Sequence, residues 1–96
     1  MPAATRQGDL CTGHDSCPAV PLVEHSPNVF INGKGAGRLG DHYTAHGCVT
    51  HPSHQDSIAG GSSSVSINGI PAARVCDPVT LGGAVQSGSG DVFIGG

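Results

Sequence analysis

The sequence predicts a small all-β domain in which three short β-hairpins pack around a pseudo-threefold axis. Three observations favour this fold class: closely spaced glycine and proline, Asn-Gly dipeptides after short apolar segments, and an internal repeat. The 96 residues include 16 Gly and 7 Pro, and no run free of both exceeds seven residues. Because an ordinary helix needs a longer run, the candidate elements are strands.

The candidate strands are short segments of alternating or β-branched apolar residues, a pattern typical of half-buried strands. They are Asn28–Asn32, Ser64–Asn68 and Asp91–Ile94. The first two end in Asn32-Gly33 and Asn68-Gly69. Asn-Gly best tolerates the positive φ angles of a two-residue type I′ turn. Each of the two segments is therefore predicted to open a hairpin.

An internal repeat relates these hairpins. Val29–Asp41 and Val65–Asp77 align without a gap at an offset of 36 and agree at seven of thirteen positions. A third copy is split, because Thr5–Asp9 resembles the second half of the unit and Val92–Gly95 the first half. The sequence thus predicts three units in circularly shifted order. Since one hairpin cannot bury its apolar face alone, the units should pack into one prism or cone, and the symmetry predicts a partner with a threefold surface.

Length and composition limit both the number of domains and the class of function. The chain has room for a single domain over residues 1–96, and Leu, Ile, Val and Phe supply only 20 residues, so apolar burial alone would stabilise it poorly. Four scattered Lys and Arg residues argue against nucleic acid as a partner. Without an apolar leader or a bilayer-length segment, we expect a cytoplasmic protein whose four cysteines are thiols or metal ligands rather than disulfides.

Each repeat ends in an aspartate that we interpret as a turn cap accepting backbone N–H bonds. These residues are Asp9, Asp41 and Asp77. The segments that follow them are predicted to be loops without strand character that gather at one end of the domain. The loops are Leu10–Ser26, His42–Ser63 and Pro78–Ser89. The first two hold the histidines and three of the four cysteines, so any site chemistry is expected there.

The histidine-rich loops predict one structural metal ion. Asp9 to His14 and Asp41 to His46 have the same five-residue spacing, so the repeat should bring His14 and His46 together. Imidazole and thiolate are the preferred ligands of Zn²⁺, and four of them complete a structural site whose folding energy would supplement the thin core. The predicted ligands are His14, His46, Cys48 and His54, with His51 as the substitute for Cys48 or His54.

The remaining histidine and cysteine candidates rank lower. His42 is a weaker ligand because it directly follows Asp41, where the strand is still ending. Cys11 and Cys76 are assigned to packing, and Cys17 stays undecided between packing and metal ligation.

Several motifs resemble the PAAR-repeat family over essentially the whole chain. Pro71-Ala-Ala-Arg74 is the family's namesake motif, Gly33–Arg38 is a degenerate copy, and Gly8-Asp9, Gly40-Asp41 and the Ser-x-x-Val-x-Ile elements match the repeat. The resemblance implies a sharp cone of three PAAR repeats, circularly shifted here, with a metal ion near its point held by His and Cys. The metal is usually zinc, with iron as the alternative. It also implies docking onto a trimeric VgrG-like or phage-spike protein, with one cap per trimer.

The function implied by this resemblance is mechanical and non-enzymatic. The cap would sharpen the spike of a type VI secretion system or contractile phage tail for membrane puncture, pass the membrane only transiently, and reach the target cell on contraction. Without a long extension, any effector is expected to bind non-covalently. A free-standing zinc-binding module and a small zinc hydrolase stay open as alternatives; the hydrolase would need an open coordination position and a base such as Asp15 or Asp56.

The sequence departs from the common family pattern at two places. Cys76 stands where many relatives have Gly before the third repeat-ending Asp, and Thr80-Leu81-Gly82 stands where many have a Cys in the third loop. The metal ligands are therefore expected to come from the first two loops.

Overall fold

The computed structural model describes residues 1–13, 17–48 and 51–96. Its strands form three two-stranded antiparallel sheets: β1 (Phe30–Ile31) with β2 (Lys34–Gly35), β3 (His46–Cys48) with β4 (His51–His54), and β5 (Ser66–Ile67) with β6 (Ile70–Pro71). The described residues contain no helix that is long and apolar enough to cross a membrane. The all-β prediction is confirmed.

Both predicted hairpin turns form at the Asn-Gly dipeptides. Asn32 and Gly33 have φ angles of 55° and 77°, and Asn68 and Gly69 have φ angles of 57° and 76°. Positive φ at both central residues is the signature of a type I′ turn. The strands are two residues long instead of the five predicted. Before each strand the N–H of Val29 or Val65 donates to a serine hydroxyl, so that only the carbonyl of the valine joins the partner segment.

The two ends of the chain form a third hairpin-like unit. Ala3 pairs with Phe93 in an antiparallel bridge, and the Ile94 N–H donates to the Pro2 carbonyl at 2.9 Å. The Ala4 N–H donates to the Val92 carbonyl at 3.0 Å, as Ala36 and Ala72 do to Val29 and Val65 in the other units. The predicted split third copy is confirmed. This unit pairs through single bridges, so Asp91–Ile94 is not a regular strand.

A closed ring of backbone hydrogen bonds marks the pseudo-threefold axis. The Thr5 N–H donates to the Ala73 carbonyl at 3.3 Å, the Ala73 N–H to the Gly37 carbonyl at 3.1 Å, and the Gly37 N–H to the Thr5 carbonyl at 3.0 Å. Each unit therefore bonds to the next in the same sense. A Cβ on Gly37 would lie only 2.8 Å from the Thr5 methyl group, so the close approach at the axis requires glycine there.

The core consists of two clusters built from equivalent residues of the three units. One cluster lies between the hairpins and contains Ala4, Ala36 and Ala72 with Ile31, Ile67 and Ile94. The other lies between the loops and contains Cys11, Tyr43 and Val79 with Leu22, Ile58 and Val85, together with Val20 and Ala73. The body measures 37 × 24 × 22 Å along its principal axes, so it is elongated with two similar short dimensions.

The three loops gather as predicted, because each pairs with another through its backbone. The bridges between them are Leu22 with Tyr43, Ile58 with Val79, and Cys11 with Val85. The prediction that these loops lack strand character is wrong for His42–Ser63, which contains β3 and β4. Apolar alternation is the signal that identifies strands in a sequence, and His46–His54 has almost none.

Candidate metal centre

The antiparallel pair of β3 and β4, called the β3–β4 ribbon below, carries four of the five candidate metal ligands. They are His46, Cys48, His51 and His54. In its backbone register His46 lies opposite His54, and Cys48 lies opposite His51, with an irregularity in pairing between His46 and Cys48. Residues directly opposite each other in an antiparallel pair have Cβ atoms about 5 Å apart. The ribbon thus brings these positions together. His14 lies outside the described residues, so its convergence with His46 stays a prediction.

His54 lies beside a buried carboxylate at the end of the ribbon. Its side chain is 14% exposed, and its Nε2 atom lies 3.3 Å from Oδ1 of Asp56, whose side chain is 0% exposed. The sequence interpretation considered Asp56 only as the base of a hydrolase. The signal that was missed is the spacing of two residues, which places both side chains on one face of an extended segment.

The donor set of the ribbon fits a zinc site by its chemistry. Histidine nitrogen and cysteine sulphur are the ligand types of structural Zn²⁺, and a carboxylate commonly contacts the second nitrogen of a ligating histidine. His54 with Asp56 shows that contact. Within the part of the chain that the structure describes, no three His, Cys, Asp or Glu side chains converge on one point. The fit therefore rests on the backbone register and on His54.

His42 is engaged away from the ribbon. Its Nδ1 atom lies 2.6 Å from Oε1 of Glu24, and the same oxygen accepts the His42 N–H at 3.0 Å. The hydrogen bond from His42 lowers the pKa of the Glu24 carboxyl. Both side chains are about half exposed. This pair ties the first loop to the second.

The cysteines differ in state and position. Cys11 is a buried free thiol in the core, as assigned. Cys76 is an exposed free thiol, so its assignment to packing is wrong; it occupies a turn position with a φ of 77°, from which its side chain reaches solvent. Cys17 is buried and disulfide-bonded, so the expectation of thiols or metal ligands is wrong for Cys17. Cysteine pairing depends on which loops meet, which spacing alone does not reveal.

The repeat-ending aspartates cap their turns as predicted. The backbone N–H groups of Arg6, Arg38 and Arg74 donate to Asp9, Asp41 and Asp77 at 2.7 to 2.8 Å. Each arginine side chain also forms an ion pair with the same aspartate. These side-chain hydrogen bonds raise the pKa of each arginine. The turns below the loops are therefore fixed at three equivalent points.

Each of these arginines also reaches the next unit. Arg6 Nη1 donates to Asn32 Oδ1 at 2.9 Å, and Arg38 Nη1 donates to Asn68 Oδ1 at 3.2 Å. In the third unit Arg74 Nη1 donates to the backbone carbonyl of Gly95 at 3.2 Å. A main-chain carbonyl thus replaces the asparagine side chain where the chain is split.

Comparison with known proteins identifies related sequences. Residues 50–96 match the PAAR motif. The NAD(P)(+) glycohydrolase toxin Tse6 of Pseudomonas aeruginosa is 40% identical over 81 residues, which cover 78% of this chain and 19% of that protein. The (p)ppApp synthetase toxin Tas1, also of Pseudomonas aeruginosa, is 40% identical with 78% and 18% covered. The double-stranded DNA deaminase toxin A of Burkholderia cenocepacia is 34% identical with 78% and 5% covered. The chain spans less than a fifth of the length of each.

Proposed function

Because the chain belongs to the PAAR-motif family, we propose that it is a metal-stabilised cap for the tip of a trimeric, VgrG-like spike protein in a contractile injection machine. The observation that carries this proposal is the closed hydrogen-bond ring of Thr5, Gly37 and Ala73, which relates the three units by an approximate threefold rotation. One such cap has the symmetry to meet three identical partner chains, so a stoichiometry of one cap per trimer follows.

Exposed aromatic residues on the hairpin units support a docking surface for this spike. Phe30 is 59% exposed and Phe93 is 51% exposed, although each precedes a buried isoleucine of the core. Ser66 occupies the equivalent position in the remaining unit and is also exposed. Large exposed side chains at symmetry-related positions are typical of an interaction surface.

Mixing the purified chain with a trimeric VgrG-like spike and measuring the mass of the complex by native mass spectrometry tests this proposal. We expect one chain bound per trimer. Phe30→Ser and Phe93→Ser copy the residue of the third unit, so they should weaken the complex and leave the thermal unfolding midpoint unchanged. A free-standing zinc module would form no such complex, and that outcome would overturn the cap.

The proposed metal is one Zn²⁺, with iron as the alternative. Its ligands would be His14, His46, Cys48 and His54, and His51 would substitute for Cys48 or His54. When bound, the ion supplies a structural crosslink between the first and second loops. A cysteine ligates a metal only as the thiolate, and Cys17 is disulfide-bonded in this structure. Metal content should therefore be measured with and without a reductant. We expect about one equivalent in the reduced chain.

Alanine variants of the ribbon test the ligand set. His46→Ala and His54→Ala should lower metal content and thermal stability together, because both remove a ligand of the same ion. Glu24→Gln alters a histidine contact away from the ribbon and is the matched control. Full metal content in both histidine variants would exclude this ligand set.

We further propose that the chain itself is not an enzyme, remains cytoplasmic until the machine assembles, and crosses the membrane only on contraction, with any recruited effector bound non-covalently. The matched relatives are named as enzymes, but this chain spans less than a fifth of each. The isolated chain should therefore not hydrolyse NAD(P)⁺, and turnover by it would contradict the proposal.

A further inference from the structure

Residues 91–96 are held in the fold much as a bound peptide would be. The Val92 carbonyl accepts the Ala4 N–H at 3.0 Å, and the Ile94 N–H donates to the Pro2 carbonyl at 2.9 Å. The Ile94 side chain is 7% exposed and packs in the core cluster between the hairpins. Backbone pairing combined with a buried side chain is how an extended peptide adds to the edge of a sheet.

The second unit holds the last two residues of this segment. The Ser62 hydroxyl and Arg74 Nη1 both donate to the Gly95 carbonyl, at 2.6 and 3.2 Å. Ser63 donates its N–H and its hydroxyl to the Gly96 carbonyl, at 3.3 and 3.0 Å. Residues 2–4, 62, 63 and 74 thus form a slot that residues 91–96 fill.

A glycine stands at the bend before this segment. Gly90 is exposed, and apart from its chain neighbours no atom of the described residues lies within 4 Å of a Cβ built on it. The equivalent residues of the other units are Pro27 and Ser63, because each follows the serine that accepts a valine N–H. Proline fixes φ, whereas glycine leaves more backbone conformations open. The bend at Gly90 is therefore the most adjustable of the three.

We propose that residues 91–96 are exchangeable between two copies of this chain, so that the slot of each copy binds the segment of the other in a strand-swapped dimer. The partner is a second copy because its segment carries the isoleucine and the two glycines that the slot already accommodates. Each filled slot keeps the contacts of the single chain, and only the bend at Gly90 changes.

Release of the segment is a small opening of the fold. Ile94 is the one buried residue among residues 91–96, so release costs less than global unfolding. The two slots of the dimer are filled at once and in the same way, which makes the contact isologous and closed. The exchange goes beyond the proposed spike-tip function and does not depend on it.

Refolding at high protein concentration tests the exchange. The whole 96-residue chain is unfolded in urea and refolded either concentrated or dilute, and native mass spectrometry measures the dimer fraction. A reductant added before the measurement removes any disulfide between exposed Cys76 thiols. We expect a dimer in the concentrated sample and a monomer in the dilute one. A concentrated sample that contains only monomer would overturn the exchange.

Isotope-filtered NOE spectra distinguish a swapped dimer from one that associates through another surface. Equal amounts of ¹³C,¹⁵N-labelled and unlabelled chains are refolded together, and the filter detects contacts between chains only. We expect contacts of Ala4 with Val92 and of Pro2 with Ile94 between two chains. A dimer that keeps these contacts within each chain would overturn the proposal.

Gly90→Pro is the matched variant, because it copies Pro27 of the first unit and leaves the slot unchanged. Proline favours the bend of the single chain, so the dimer association constant should fall by about two- to fivefold for each hinge, and by about 4- to 25-fold for a dimer with two hinges. Equal dimer fractions in the folded variant and the unmodified chain would overturn Gly90 as the hinge. The NOE measurement on the unmodified chain decides the exchange if Gly90→Pro fails to fold.

Discussion

At the scale of single residues, Cys76 has the backbone conformation of a glycine. Its φ is 77°, whereas the equivalent residues Gly8 and Gly40 have φ angles of 87° and 89°. Each of the three positions precedes a repeat-ending aspartate and donates its N–H to a core residue of the following loop. A non-glycine residue in this region of φ is strained by its Cβ.

Replacing Cys76 with glycine should therefore stabilise the protein. We expect a gain of about 0.5 to 1 kcal/mol in the free energy of unfolding, because the relief of strain exceeds the entropy that glycine adds to the unfolded chain. Urea denaturation of the reduced protein measures it. Gly40→Ala is the reverse control: no atom lies within 4 Å of a Cβ there, so a loss would come from the backbone alone. A lower midpoint for Cys76→Gly would contradict this account.

Asp41 is one of the three capping aspartates, and its charge should matter for stability. It is 3% exposed, caps the Arg38 N–H and forms an ion pair with the Arg38 guanidinium at 2.9 Å. Asp41→Asn leaves the partly buried Arg38 guanidinium without its countercharge and should cost about 2 to 3 kcal/mol in thermal unfolding experiments. Asp91→Asn should change the thermal unfolding midpoint little. An asparagine, Asn28, already occupies the equivalent position in another unit and makes the same contact with a turn asparagine. Equal losses in both variants would argue against a special role for the capping pair.

At the scale of elements, the hairpin turns also connect neighbouring units. Asn68 Oδ1 accepts the Ser26 hydroxyl at 2.6 Å, and Asn68 Nδ2 donates to Asn28 Oδ1 at 2.8 Å. Asn32 makes the equivalent contacts with Ser89 and Asp91. The Asn-Gly turn thus has two functions, since it reverses the chain and joins one unit to the next.

Two substitutions of Asn68 separate these functions. Asn68→Gly keeps the positive φ and loses only the side-chain bonds, so it should cost about 1 to 2 kcal/mol. Asn68→Ala loses the side-chain bonds and also the tolerance of a positive φ angle, so it should cost about 1 kcal/mol more than Asn68→Gly. Chemical denaturation of the two variants gives the difference directly. Identical losses would mean that the left-handed turn contributes nothing beyond the side-chain bonds.

At the scale of the whole molecule, the chain ends complete the threefold arrangement. Gly96 has a φ of 84°, close to the 77° of Gly33 and the 76° of Gly69, and occupies their position in the third unit. Pro2 accepts the Ile94 N–H as the residue across the turn. Residues 95 and 96 would therefore serve as a two-residue turn if residue 96 were joined to residue 2.

Head-to-tail cyclisation of residues 2–96 should consequently stabilise the fold. We expect about 2 to 4 kcal/mol, because closing the chain restricts the unfolded state, while Ile94 and Pro2 are already hydrogen-bonded in the fold. The cyclic form that retains Met1 has a three-residue turn and is the matched control. A cyclic chain reopened between Gly33 and Lys34 should also fold, as shown by circular dichroism. Failure of that permutant would mean that the three units are not equivalent.

The local elements of this protein follow from its sequence because they depend on neighbouring residues. Asn32-Gly33 and Asn68-Gly69 need only their own φ preferences to form turns, and the aspartate caps lie three residues from the N–H groups they accept. The repeat predicts the third unit because equivalent sequences adopt equivalent backbones. The sequence by itself therefore determined the all-β class, the three circularly shifted units and their capped turns.

Tertiary structure alone decided the features that depend on contacts between distant residues. The β3–β4 ribbon pairs polar residues whose pattern carries no strand signal, and the Asp56–His54 contact depends on the backbone bonds that hold Asp56 beneath it. The hydrogen-bond ring of Thr5, Gly37 and Ala73 joins three parts of the chain. The physical reason is that such contacts form only after the units pack, since no local preference encodes which loops then meet.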